Sequence, residues 1–273
     1  MKAEIDVAVV TGGGHGIGRA LASRLSEHGV KVVVAEIEAE AAEVVAQSID
    51  GVAMTIDVRD EDAVWQLVND VEQDVGPIDL FVSNAGVGYG DADDSAASVQ
   101  GGLVACDDRW QQCWDVNVMA HVYAARALIP RMQERGGGYL VNVASAAGLL
   151  SQIGDAAYSA TKHAAVAFAE SLAITHGEQG IQVSVVCPQA VATRMIGIDD
   201  DAESYDGGFG GNDVDGILSP NEVADCIIDG IDAGKFLILP HPQVATYFQR
   251  KAADHDRWIA GMQRFRGKLR QGD

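Results

Sequence analysis

Tyr158 and Lys162 stand four residues apart in the run Tyr158-Ser159-Ala160-Thr161-Lys162. In a helix that spacing puts both side chains on one face, about one turn apart. The pairing matters chemically because a free phenol titrates near pH 10 and is a poor proton shuttle at neutral pH. An ammonium within about 4–6 Å favours the phenolate and lowers the phenol pKa by roughly 1–3 units. Ser145 supplies a hydroxyl thirteen residues before Tyr158, just after the apolar run Tyr139–Val143. A Tyr-x-x-x-Lys pair alone also occurs on exposed helix surfaces, so its reading depends on the rest of the chain.

A second constellation follows the apolar run Val7–Val10. Thr11-Gly12-Gly13-Gly14-His15-Gly16-Ile17-Gly18 leads into the helical spacing Ile17/Leu21/Leu25. A strand-to-helix turn presents free backbone N–H groups and the positive end of a helix, which suits a pyrophosphate, and glycines let the backbone come close. The same glycines also fit a plain tight turn. Glu36 ends the next apolar run, eighteen residues past Gly18, near where an acid meets the adenosine ribose of a dinucleotide. A carboxylate there accepts hydrogen bonds from the ribose 2′- and 3′-hydroxyls and repels a 2′-phosphate, which favours NAD over NADP. Ile37 follows and His15 precedes Gly16, so neither position carries a Lys or Arg. The competing reading of Glu36 is an exposed acid opening a polar helix with Glu38, Glu40 and Glu43.

The positioning elements alternate. Val7–Val10, Val30–Ala35, Val52–Ile56, Ile78–Val82, Tyr139–Val143, Ile181–Cys187 and Phe236–Leu239 read as strands. Ile17/Leu21/Leu25, Ala63/Leu67/Val71, Trp110–Met132 and Ala164–Leu172 carry helical spacing. Near-continuous apolar strands between helices predict an α/β fold, a doubly wound Rossmann-type parallel sheet of about seven strands in a single domain. We expect a catalytic and dinucleotide-binding body over 1–240, including a lid at 189–218, and a helical tail over 241–273. Ligands of such sheets bind outside the carboxyl ends of the strands, where both constellations fall.

Taken together, these residues resemble the short-chain dehydrogenase/reductase family from about residue 5 to about residue 195. Thr11–Gly18 is similar to its TGxxxGxG signature, Asp57-Val58 to its adenine-contacting pair, and Ser83-Asn84-Ala85-Gly86 to its NNAG motif with Ser first. The resemblance implies that Tyr158 is the acid/base, that Ser145 hydrogen-bonds the substrate oxygen, and that Lys162 also holds the nicotinamide ribose. It further implies that Asn117 supports a water relay to Lys162. Cofactor contacts are implied at Gly12, Gly14, His15, Gly16, Ile17, Gly18, Glu36, Asp57, Val58, Asn84, Ala85, Gly86, Tyr158, Lys162, Pro188 and Thr193, with no metal. One departure stands out: the family's Pro-Gly reads Pro188-Gln189 here. Either the backbone at Gln189 avoids positive φ, or its side chain adds a donor to the pocket. The expected activity is NAD-dependent interconversion of a secondary alcohol and a ketone, by a homotetramer or homodimer.

The segments expected around the nicotinamide are mostly apolar (Val87, Tyr89, Ala146, Ala147, Leu149, Leu150, Ile153, Val191, Met195, Ile196), with Gln152 and Gln189 as polar exceptions. They favour an apolar or aryl alcohol. Gly197–Gly216 carries seven acids among glycines and reads as a lid that orders on binding. Its Asp cluster lacks the Glu that closes an EF-hand loop, and Gly207-Gly208-Phe209-Gly210 occurs once, so neither reads as a metal site. Gly88–Gly102 is long and is expected at the pocket mouth. The formal net charge is −21, which argues against a nucleic-acid partner. Residues 241–273 nevertheless hold seven Lys/Arg against three Asp, a local +4 that leaves −25 for the rest. That tail (Tyr247, Phe248, Trp258, Ile259, Met262, Phe265) reads as packing or an oligomer contact, its basic face either docking or simply solvated. Cys106, Cys113, Cys187 and Cys226 show no metal spacing, so reduced thiols are expected, and no apolar run suggests a signal peptide or a membrane span, which points to the cytoplasm. Two competing identities remain: an NADP-dependent 3-oxoacyl reductase, opposed by Glu36 and by the acidic body, and a non-catalytic nucleotide sensor, opposed by the intact Ser145, Tyr158 and Lys162.

Overall fold

The computed structural model describes residues 4–90, 106–200, 202 and 215–271. Seven parallel strands form one sheet in the order β3-β2-β1-β4-β5-β6-β7. They are β1 Val7–Thr11, β2 Lys31–Glu36, β3 Val52–Thr55, β4 Leu80–Ser83, β5 Gly138–Val143, β6 Ile181–Val186 and β7 Leu237–Ile238. The order reverses between β1 and β4, where the carboxyl-end crevice of a doubly wound sheet opens.

The period of two along the strands divides the core. Val7 and Val9 of β1 and Val33 and Ala35 of β2 enter one cluster, with the helices α3 (Glu61–Asp74), α5 (Ala120–Glu134) and α6 (Ala156–His176). Ala8, Val10, Val32 and Val34 enter the other, against α1 (Gly16–Glu27), α2 (Ala39–Ser48) and α7 (Pro220–Asp232). Both faces are covered, so every residue of β1 is buried and the strand reads as an unbroken apolar run.

The helix expected over Trp110–Met132 is interrupted. Asp107–Trp114 (α4) passes through a π turn at Asp115–Met119 before α5 begins. A π turn admits one extra residue and re-aims the side chains around it, here Asn117. The tail folds as α8 (Gln243–Ala253) and α9 (His255–Gln271). No helix among the described residues is long and apolar enough to cross a membrane.

The amino terminus of α6 is fixed by Asp155. Its Oδ1 accepts from Tyr158 N at 2.9 Å and its Oδ2 from Gly90 N at 2.9 Å, so one buried carboxylate caps the helix and ties it to the loop after β4. Losing an N-cap costs about 0.5–2 kcal/mol. Asp155→Ala should therefore lower the melting temperature by about 2–4 °C per kcal/mol lost, and Asp155→Asn, which keeps an acceptor, by less. Calorimetry of the two variants checks this.

Candidate active site

The α1 end of the crevice is built from close approaches. A Cβ on Gly18 would lie 2.1 Å from Gly12 O and 2.6 Å from Asn84 Nδ2, so helix and loop meet with no room for a side chain. Asn84 holds that loop, donating from Nδ2 to Thr11 O at 2.9 Å and Gly12 O at 3.1 Å. The Glu36 carboxylate is buried at the end of β2, accepting from Gly14 N at 3.1 Å and Ile37 N at 2.7 Å. Asp57 sits nearby in a bidentate pair with Arg59, whose guanidinium holds the Asp57 carboxyl below its ordinary range.

The front of the expected lid is docked. His15, the N-cap of α1, gives no side-chain cap, and Asp200 supplies the anion instead. Its Oδ1 accepts from Gly16 N at 2.8 Å, while Oδ2 lies 2.8 Å from His15 Nδ1 and 3.2 Å from Arg194 Nε. A carboxylate thus sits at the positive helix end where an anionic ligand is also favoured. Residues 201 and 203–214 of the expected lid, and 91–102 of the expected pocket-mouth segment, lie outside the described residues.

Tyr158, Lys162 and Ser145 converge on one cavity of about 1170 Å³, together with Gly12, His15, Gly16, Ile17, Glu36, Asp57, Val58, Asn84, Ala85, Gly86, Pro188 and Thr193. Lys162 Nζ lies 5.5 Å from the Tyr158 ring centroid and donates to Val143 O at 3.1 Å. Ser145 Oγ accepts from Ala147 N at 3.0 Å, opening a short 3-10 turn at Ala146–Gly148. Gly14, Gly18 and Asn117 support the cavity without lining it. Asn117 is fully buried: its Oδ1 accepts from Val87 N at 2.9 Å, and its Nδ2 donates to Val87 O at 2.9 Å and Thr161 Oγ1 at 3.1 Å. It braces the β4 loop against the catalytic face of α6.

Three expectations need correction. The phenol is not lowered: burial pushes Tyr158 up to about 12, with the Ser145 hydroxyl pulling the other way. The same burial pushes Lys162 down to about 8, so the cation expected to acidify the phenol is itself disfavoured. Leu149 joins the sheet core rather than the cavity wall, whereas the other expected apolar lining residues do line it. The tail is not packing alone, because Tyr247, Arg250, Trp258, Met262 and Phe265 line the cavity. The Gln189 alternatives also resolve in part. Gln189 is absent from the positive-φ residues, its N–H donates to His241 Nδ1 at 3.2 Å, and its buried Oε1 has no partner among the described residues.

A buried lysine with a folded pKa near 8, against 10.5 unfolded, costs stability in full below pH 8. Between those values the folded protein sheds its proton before the unfolded chain does, and the cost shrinks. Lys162→Met should then raise the melting temperature at pH 7 by a few degrees, and the gain should diminish by pH 10. Thermal scans of both proteins across that range check the sign.

Comparison with known proteins agrees with this geometry. The chain matches the short chain dehydrogenase family over residues 6–203. A 1-deoxy-11-beta-hydroxypentalenate dehydrogenase of Streptomyces exfoliatus is 34% identical, over 87% of this chain and 84% of that one. A meso-2,3-butanediol dehydrogenase of Serratia marcescens is 35% identical, over 71% and 75%. Among solved structures, a short chain dehydrogenase/reductase from Burkholderia phymatum in complex with NAD superposes with a TM-score of 0.80 at 26% identity, covering 94% and 96% of the two chains. The match across the glycine loop, the β4 loop and the Ser145, Tyr158 and Lys162 cluster makes this chain a member of the short-chain dehydrogenase family of nicotinamide-dependent oxidoreductases.

Proposed function

We propose that this protein is an NAD-dependent dehydrogenase that interconverts an apolar secondary alcohol and its ketone. The observation that carries the reading is the shared cavity: Ser145, Tyr158 and Lys162 line it together with the buried Glu36. When bound, the nicotinamide ring supplies the acceptor or donor of hydride, and its oxidised form carries positive charge.

Tyr158 holds the proton that leaves or joins the substrate oxygen, and Ser145 fixes that oxygen by hydrogen bonding. Lys162 anchors the pair through Val143 O, and Asn117 keeps Val87 and Thr161 in register around them. A phenol raised to about 12 is a firm proton holder, which suits the reduction direction. Alcohol oxidation requires added positive charge beside it. Glu36 retains a lone pair for ribose hydroxyls beyond the three backbone donors it already binds. Arg59 is the cation nearest in sequence that lines this end, and Asp57 occupies its guanidinium. That arrangement favours NAD over NADP. The relatives named for hydroxypentalenate and butanediol act on alcohol carbons, and the apolar lining here points toward a hydrophobic member of that class.

Tyr158→Phe should reduce kcat by at least about 10³-fold while NADH affinity changes by less than a few-fold, since the phenol oxygen serves chemistry more than binding. Steady-state rates with a panel of secondary alcohols, paired with NADH titration, decide it; more than a few per cent residual kcat contradicts the assignment. The parent enzyme should prefer NAD to NADP by well over tenfold, and Glu36→Ala should shrink that ratio. Equal initial rates with both cofactors in the parent would show that Glu36 does not set the choice.

A further inference from the structure

We propose that the α8–α9 pair completes the substrate end of the cavity as a carboxylate subsite, with Arg250 receiving an anionic group on a bulky apolar alcohol or ketone. This deepens the dehydrogenase reading and depends on it for the identity of the reacting carbon.

The charged groups that line the cavity have almost all found partners. Asp57 holds Arg59, and Asp200 holds both His15 and Arg194. Asp155 caps α6, Glu36 takes three backbone N–H groups, and Lys162 donates to Val143 O. Arg250 differs. It lines the cavity and is exposed, and its guanidinium makes no hydrogen bond or ion pair among the described residues. Five N–H donors in a planar fork match a carboxylate in bidentate geometry.

Its place is set by the neighbouring residue. Lys251 Nζ donates to Leu149 O at 2.7 Å and Leu150 O at 3.1 Å, and lies 3.3 Å from His163 Nε2. Those bonds pin α8 to the segment that follows Ser145 and to α6, so the tail helix is registered to the catalytic elements. Beyond Arg250, Trp258, Met262 and Phe265 of α9 also line the cavity and offer an apolar wall. The cavity, about 1170 Å³, exceeds the roughly 300–1,000 Å³ typical of a site for one drug-sized ligand. An apolar wall with one unspent cation describes a ligand with a hydrophobic body and an acidic group. The chain carries a formal charge of −21, so an anionic substrate is repelled by the protein at large and needs a local cation to be held. Asp215 is the rival partner. It lines the same cavity and accepts the Tyr247 hydroxyl at 2.9 Å through Oδ1, and its buried Oδ2 has no partner among the described residues.

The test compares a hydroxydecalin carboxylic acid with its methyl ester. Calorimetric titration of the NADH-loaded enzyme measures affinity, and kcat/KM with NAD measures turnover. The acid should bind at least tenfold more tightly than the ester. Arg250→Ala should bring the ratio close to one, and Arg250→Lys should keep part of it. A melting temperature for Arg250→Ala close to that of the parent confirms that the fold is intact. Equal affinity for acid and ester in the parent, expected if Arg250 turns to Asp215 instead, overturns the subsite. So does no measurable binding of the acid, or a preference that survives in Arg250→Ala. Preferential binding of the acid without oxidation by NAD would leave the subsite standing and count against the dehydrogenase reading, so the two failures are distinct.

Discussion

The burial of a lysine at the carboxyl end of β5 is the constraint around which this active site is arranged. Lys162 is 2% exposed, and among the described residues its ammonium has one acceptor, Val143 O, at 3.1 Å. Burial disfavours the charge and lowers Lys162 to about 8, and it disfavours a phenolate next door and raises Tyr158 to about 12. The two side chains are thus not a ready-made ion pair. They are a phenol held protonated and an ammonium kept at a cost, both buried, where an added positive charge is less screened than at the surface. On the proposed reading, proton release from such a site follows the arrival of positive charge, and the stability lost to the lysine accompanies it.

The frame around the pair is rigid for identifiable reasons. The π turn at Asp115–Met119 turns Asn117 inward, where it bonds both edges of Val87 and the Thr161 hydroxyl. Asp155 ties the first turn of α6 to Gly90. The loop after β4 is therefore stitched to α6 from two sides, and Tyr158 and Lys162 rise from α6 between those stitches. At the far end, Asp200 occupies the helix terminus that His15 leaves uncapped. The carboxylate sits where an anion is also favoured, at the N–H groups that open α1.

Local patterns carried the fold. β1 and β2 announce themselves because strands covered on both faces must be apolar throughout, and their alternate residues do go to opposite cores. The glycine loop and the Tyr158/Lys162 spacing were legible because a turn and a helix are short-range objects. What escaped depends on contacts across long sequence separation. Lys251 reaches Leu149 from 102 residues away and brings the tail over the cavity, and nothing in the periodicity of 241–273 distinguishes that from surface packing. Asp200 meets Gly16 across 184 residues and looks, in sequence, like one more acid in an acidic stretch. The direction of the Tyr158 shift was misread because spacing reports the nearby charge but not the depth of burial, and here burial wins. Asn117 is singled out by the family resemblance, but its bonds to Val87 and Thr161 depend on the π turn, which the periodicity does not show.

The central claim is that Tyr158 is held protonated by burial and is released by added positive charge. Ultraviolet difference titration of tyrosinate tests it directly, taking the Tyr158→Phe protein as the blank, with and without saturating oxidised cofactor. The account predicts that the Tyr158 signal titrates only at strongly alkaline pH in the protein alone, and at clearly lower pH once the oxidised cofactor is bound. A Tyr158 signal that titrates near neutral pH in the protein alone, or at the same pH in both samples, would contradict it.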